Sequence, residues 1–328
     1  MTEYQQQRLE CFECGTQTCA SLLQGVPQGQ SGPRLVAFAG LLMGYYRQSK
    51  RRTAQFLQDF LKMPCQVAQA LEEPYEELKA RLGEQNQVFM DETPTKQGQD
   101  KAWLWTAVAP SFAVFAIFPS RKAEALDKLL GNGFEGVVHC DRAKMYWQEA
   151  KLQWCWAHLK RDFQALIDYP DNQVKRLGHD LMPQVRLIFK HWRRYQDNEI
   201  GWETFRRYIS PVRDEVEKLL GRGKLSGNKR LVGMCRELYG HREWLWTFTK
   251  IRGLEPTNNT AERALRPAVI QRKLSFGTQS EKGSRFLERM LSVSETCRLQ
   301  KRSFYDYLVH ALSTSFSKTS PPSLVPTL

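Results

Sequence analysis

The chain has 328 residues, 41% hydrophobic and 25% charged, which excludes a wholly disordered polypeptide and leaves room for more than one domain. Its 48 Lys and Arg against 35 Asp and Glu leave a formal charge of +13, which points to an anionic partner, nucleic acid being the commonest. Neither long apolar stretch reads as a membrane span: 35–46 is short of the ~20 residues a bilayer needs, and 104–119 is broken by Pro110 and Ser111.

Residues 1–34 are polar, have no apolar signal core and end in the linker-like GVPQGQSGP at 25–33. The eight cysteines are scattered, and Cys140 and Cys155 sit in apolar runs, which fits a reduced cytosolic compartment better than a disulfide framework. Residues 35–85 read as helical. Ser49 is a candidate cap, Ala54, Phe56, Leu57, Phe60 and Leu61 form one stripe, and Lys50, Arg51 and Arg52 stand at the front. That pattern fits a helix-turn-helix DNA-binding region and equally a helical hairpin with a solvated basic end.

From residue 86 the period changes to strands. Val88–Met90 ends at Asp91, 102–109 and 112–118 form a hairpin about Pro110-Ser111, 134–140 ends at Asp141, and 152–157 is a fifth strand. Short helices at 123–130 and 143–150 separate them, an α/β order with a mixed five-stranded sheet and flanking helices. Residues 161–255 carry helical periodicity throughout. TNNT at 257–260 caps a further helix, 275–285 is a loop, 286–311 is helical again, and the Ser/Pro-rich 313–328 reads as a disordered tail.

Asp91 and Asp141 follow the ends of apolar strands, the edge of an α/β sheet where ligand chemistry gathers. One such Asp is usually a turn former or a cap. Two on neighbouring strands repel, and a divalent cation relieves that repulsion, with hard oxygen donors suiting Mg²⁺ or Mn²⁺. Glu262, in the first turn of the helix after TNNT, is the candidate third carboxylate; pattern alone does not separate it from Glu92, Glu149 or Glu288.

TNNTAERALRPAVIQRKLSFGTQSEKGSRFLERMLSVSETCR closely resembles the C-terminal signature of the insertion-sequence-66 transposases. MDET at 90–93, CDRAKMY at 140–146 and CWAHLKRDF at 155–163 resemble the family's other blocks in the same order, so the resemblance runs from about residue 35 to about 312. It implies a ribonuclease-H-like catalytic core at 86–160 and 256–312, interrupted by the helical insertion 161–255. It also implies an Asp-Asp-Glu triad of Asp91, Asp141 and Glu262 holding two Mg²⁺ or Mn²⁺ ions, for DNA strand cleavage and 3′-hydroxyl strand transfer. The partners implied are DNA, both element ends and target, a homo-oligomer on that DNA, and accessory proteins of the element.

Around the triad, Arg142, Lys144, Arg263, Arg266, Arg272, Lys273, Lys282 and Arg285 either grip phosphates or form a solvated face. His158 could orient a ligand or contact the scissile phosphate, or be a structural histidine. Trp154 and Trp156 alternate along a strand and read as core; Trp192 and Trp202 read as packing. The sequence departs from the family at its start: CFECG resembles only the last half of a zinc ribbon. Cys11 and Cys14 have the gap of a zinc pair and Cys19 is a third candidate, but a fourth ligand is missing, so an unmetallated remnant is the expectation. The stretch 63–73 is short for the helix-turn-helix, and Cys140, Ala143 and Lys144 replace more usual neighbours of Asp141. Two alternatives stand beside the transposase reading: a catalytically inactive DNA-binding remnant, and a ribonuclease-H-like nuclease selective for branched or hybrid substrates.

Overall fold

The computed structural model describes residues 8–10, 17–19, 32–53, 56 and 67–325. Its centre is a five-stranded sheet of β3 (Gln87–Gln97), β4 (Asp100–Val108), β5 (Ala113–Phe118), β6 (Val137–Cys140) and β7 (Leu152–Trp154), in the order β5-β4-β3-β6-β7. The β3–β4 and β4–β5 pairs are antiparallel, and β6 runs parallel to both β3 and β7. The period-2 alternation divides the side chains between two cores. Val88, Met90, Trp105 and Ala107 face one, and Phe89, Leu104 and Val108 face the other.

Two strand limits differ from the sequence reading. β3 continues past Asp91 to Gln97, because β4 turns back tightly through Gly98 (φ 62°) and pairs with it as far as Asp100. Asp91 is therefore inside a strand and not beyond its end. The parallel pairing with β6 stops at Phe89, however, so Asp91 still has open backbone on that side. The fifth strand stops at Trp154, since Cys155 is already the cap position of a helix starting at Trp156. Trp154 and Trp156 are both fully buried, but on a strand and a helix respectively.

The helices are α1 (Pro33–Gly40), α2 (Val67–Ala70), α3 (Glu72–Ala80), α4 (Glu124–Leu130), α5 (Trp156–Ile167), α6 (Asn172–Gln196), α7 (Trp202–Gly223), α8 (Lys229–Gly240), α9 (Thr247–Lys250), α10 (Asn259–Ser275), α11 (Glu281–Leu299) and α12 (Phe304–Ser317). The insertion is helical as read. In α6, Val174, Leu177, Leu181, Val185, Ile188 and Trp192 form one buried stripe, and Trp192 packs edge-on to Phe205 of α7. Asp171 caps α6 by accepting from Gln173 and Val174 N–H.

α10 and α11 cover the Phe89 face of the sheet. α11 also closes the edge strand β5. Thr296 Oγ1, Ser292 Oγ and Glu288 Oε1 accept the N–H groups of Ala113, Phe115 and Ile117 at 3.1, 2.8 and 2.5 Å. Helix positions four apart rise about 6 Å and strand positions two apart about 6.8 Å, so the two ladders stay in step. At the other edge, Gln153 of β7 bonds to Leu245 O (3.3 Å) and Phe248 N (2.7 Å), and Thr247 Oγ1 donates to Leu152 O.

The end of the chain departs from the disordered tail expected from residue 313. α12 runs to Ser317 and Leu324 is buried, because Gln300 Nε2 donates to Leu324 O (2.7 Å) and Tyr307 OH to Pro322 O (2.9 Å). At the other end, β1 (Arg8–Glu10) and β2 (Gln17–Cys19) form a small antiparallel pair. Cys11 and Cys14 lie outside the described residues. So do most of the stripe at 54–61 and the turn that a helix-turn-helix would need, although Ser49 Oγ accepts Arg52 N–H at 3.1 Å, as a cap does. Among the described residues no helix is long and apolar enough to cross a membrane.

Candidate active site

Asp91 shares a face of β3 with Phe89 and Thr93, the face that α10 covers. Its Oδ1 accepts Glu92 N–H at 2.9 Å. Asp141 follows β6 directly, and its Oδ1 accepts Ala143 N–H at 2.8 Å, a local turn that fixes the carboxylate at the strand end. In neither aspartate does Oδ2 have a hydrogen-bond partner among the described residues.

Glu262 lies in the first turn of α10, and its N–H bonds to Asn258 O. The TNNT segment starts the helix as expected, but Asn258 makes no side-chain cap bond. It is buried, and its Nδ2 donates instead to Met90 O at 2.6 Å, next to Asp91. Its backbone N–H donates to Cys155 Sγ (3.1 Å), and Trp156 N–H to Pro256 O (2.9 Å). The helix carrying Glu262 is thereby pinned to the strand carrying Asp91 and to the end of β7.

Burial, together with the charges of Glu92, Asp141 and Glu262, pushes the Asp91 pKa up to about 7. Asp141 and Glu262 thus both act on Asp91 electrostatically, but the three carboxylates do not form a group within 4.8 Å of one another. Glu262 points its carboxylate at His158 Nδ1 and Arg161 Nη2, each 3.4 Å away. Cys155 Sγ, a His158 nitrogen and a Glu262 oxygen all lie within 4.8 Å of one another, the one donor group this tight among the described residues. His158 is in the first turn of α5, not past a strand. Burial and Arg161 hold its pKa below the usual histidine value, against the opposing pull of Glu262 and Asp141.

Glu92 is one of the acids that sequence pattern left as alternatives to Glu262. It points to the opposite face of β3, its side chain is 2% exposed, and Tyr146 OH and Arg121 hold it (Arg121 Nε at 2.7 Å). Burial raises its pKa above the usual glutamate value. The signal was present, since MDET places a second acid on the strand and CDRAKMY supplies Tyr146.

The basic candidates divide. Arg142 bridges Asp162 of α5 (2.8 Å) and Glu237 of α8 (2.7 Å), joining the sheet to the insertion. Arg272 donates to Thr93 Oγ1 (2.6 Å) and Pro94 O (2.5 Å), and Arg285 pairs with the buried Glu288 at 3.0 Å. These three are engaged inside the protein. Lys144 is exposed over the Trp147 ring, and Arg263 is exposed and bonded to Thr260 Oγ1. Arg266, Lys273, Lys282, Lys50, Arg51 and Arg52 are exposed with no carboxylate partner among the described residues.

Residues 42–285 match the family described as Transposase IS66 family. Two curated relatives, both from Sinorhizobium fredii (strain NBRC 101917 / NGR234), are uncharacterised proteins. One, y4qI, is 26% identical over 71% of this chain and 48% of its own length; the other, y4hP, is 24% identical over 89% of this chain and 61% of its own. The chain therefore spans about half to three-fifths of the curated relatives it matches.

Proposed function

The chain belongs to the IS66 family of transposases, and on that footing we propose that it cuts DNA and joins 3′ ends by divalent-metal-dependent phosphoryl transfer, with Asp91, Asp141 and Glu262 as the metal-holding carboxylates. The observation that carries the reading is that Asn258 pins the start of the Glu262 helix to Met90 O beside Asp91, so that Glu262 and Asp141, at the end of the neighbouring strand, both bear on Asp91. Such a cluster is unfavourable without a cation and favourable with one. The donor set fits hard cations, since both aspartates keep one oxygen unpartnered among the described residues.

The sheet order supports a ribonuclease-H-like core. Three antiparallel strands come first, then two parallel ones; Asp91 lies on β3 and Asp141 directly follows β6, its parallel neighbour. Divalent ions bound there supply activation of the attacking hydroxyl and stabilisation of the leaving oxygen. The protein's own share is position and charge. Asp91 and Asp141 are held by backbone N–H bonds to one oxygen each, which leaves the other oxygen of each for an ion. Glu262 sits on a turn anchored through Asn258 to Met90 O, so only its side-chain torsions are left to adjust. Arg161 and His158, now facing Glu262, stand where a phosphate would displace that carboxylate as their partner.

The test is cleavage and strand transfer on DNA carrying the element's ends, with Mg²⁺, for wild type and Asp91→Asn. We expect wild type to cut and join and the variant to bind without cutting. Binding by both with cutting by neither would leave the inactive DNA-binding reading. Cutting of branched DNA with no joining would favour the nuclease.

A further inference from the structure

Beside the carboxylates lies an open groove of about 830 Å³. One wall is the outer face of α6, a second is α5 at Ala157 and Lys160, and a third is the start of α10 at Asn259 and Arg263. Six cations and one carboxylate, Glu255, line it. Of these cations, Lys160, Arg186, Lys190, Arg193 and Arg263 have no carboxylate partner among the described residues; Arg194 pairs with Glu199 at 3.0 Å.

The spacing on α6 is informative. Arg186, Lys190 and Arg193 are all exposed and follow at intervals of four and three, so they share one helix face at steps of about 6 and 4.5 Å. Like charges placed so destabilise a helix, and no acid pairs with them among the described residues. His191 registers that field: burial lowers its pKa, and Arg194 and Lys190 lower it further. The groove shares two helices with the site: Arg263 follows Glu262 on α10 and Lys160 precedes Arg161 on α5, although none of the three carboxylates lines it.

We propose that this groove is the track of a DNA backbone leading away from the cleavage site, so that the helical insertion forms one side of the DNA-binding cleft. The proposal rests on the reading of the chain as a DNA-cutting enzyme, and it assigns substrate contact to Arg186, Lys190 and Arg193, which lie outside every sequence motif named above. A phosphodiester strand supplies the regular negative charge that Arg186, Lys190 and Arg193 lack in the free protein. Its two sources are the element end and the target DNA.

The experiment uses the full chain with Arg186→Ala, Lys190→Ala and Arg193→Ala combined, at exposed positions where alanine suits a helix. The probe is a labelled duplex of about 30 base pairs and arbitrary sequence, titrated from about 50 to 300 mM salt. The log–log salt slope should fall by roughly 0.9 per lost phosphate contact, about 2.7 for the triple variant. A control with Lys122→Ala, Lys229→Ala and Lys318→Ala, exposed cations outside the groove, should keep the wild-type slope. An unchanged slope in the groove variant, or an equal fall in the control, overturns the proposal.

Cutting at an element end and joining of a pre-cut end to a plasmid then separate the sources. A loss confined to the first assigns the groove to the element end, and a loss confined to the second assigns it to the target; either supports the track. If the groove variant binds like wild type while Asp91→Asn abolishes cutting, the groove fails alone. If wild type binds with the groove-dependent slope and never cuts, the catalytic reading fails alone.

Discussion

Asp91 on the central strand β3 and Glu288 on the helix that closes the edge strand β5 are two carboxyls that burial pushes up to about 7. Their neighbours differ in sign. Around Asp91 stand Glu92, Asp141 and Glu262, all of which raise its pKa. Around Glu288 stand Ile117 N–H, Arg285, Lys79 and Arg289, all of which lower it. Glu288 is fully buried, with Oε1 bonded to Ile117 N–H and paired with Arg285 at the edge strand and Oε2 without a partner among the described residues, whereas the charged groups that act on Asp91 are all acids. Similar titration therefore marks a structural carboxyl in one place and a candidate catalytic one in the other, and the sign of the surroundings tells them apart.

The largest expected effect separates them by kinetics. Asp91→Asn should lower DNA cleavage by roughly 10³ or more with the fold retained, as loss of one electrostatic contact to a transition state does; Glu288→Gln should leave the cleavage rate of the folded protein unchanged. A comparable loss in both would end the distinction. Next comes stability. Glu288→Ala should cost about 3–5 kcal/mol in denaturant unfolding, because it strands Ile117 N–H and leaves Arg285 without its carboxylate. Asp91→Ala should cost little, or stabilise, in the absence of metal.

pH dependence sharpens the contrast. Both folded carboxyls keep protons that the unfolded chain loses near its ordinary values of 3.8 and 4.5. In metal-free protein their contribution is therefore most favourable at the acid end and declines as pH rises from about 4 to about 7. Asp91→Asn should shrink that decline by on the order of 2 kcal/mol. Mg²⁺ should shrink it in wild type too, while the Glu288 share persists. Unfolding curves at several pH values, with and without Mg²⁺, check this.

Smaller again is Asn258→Ala, which leaves Met90 O unpaired in the interior and should cost about 1–3 kcal/mol. Because it frees the turn that carries Glu262, cleavage should fall further than stability alone accounts for. The smallest is Arg142→Gln, about 1 kcal/mol given its partial exposure, with DNA affinity unchanged. A flatter salt titration in that variant would return Arg142 to the phosphate contacts.

Local pattern carried the sheet. Alternating apolar residues located all five strands, and the turn at Pro110-Ser111 located the hairpin. Strand ends were less legible, because Thr93, Thr95 and Gln97 look like loop until β4 is placed beside them. Asp91 and Asp141 could be read from strand ends. Glu262 rested on resemblance, since nothing local distinguishes a first-turn glutamate. The remaining features are tertiary. Asn258 looks like an ordinary cap until its side chain is seen reaching Met90, and Arg142 and Arg272 look like free cations until their partners, 95 and 179 positions away, are known. The groove cations were hidden in a run of uniformly basic helix, where only the facing wall at Arg263 picks out one side of α6.

Both borders of the sheet are occupied, one by Thr296, Ser292 and Glu288, the other by the bonds that Gln153 and Thr247 make. Along β5 a passing strand finds the amides of Ala113, Phe115 and Ile117 already taken. Growth of the sheet from one molecule into the next is thus blocked on that border.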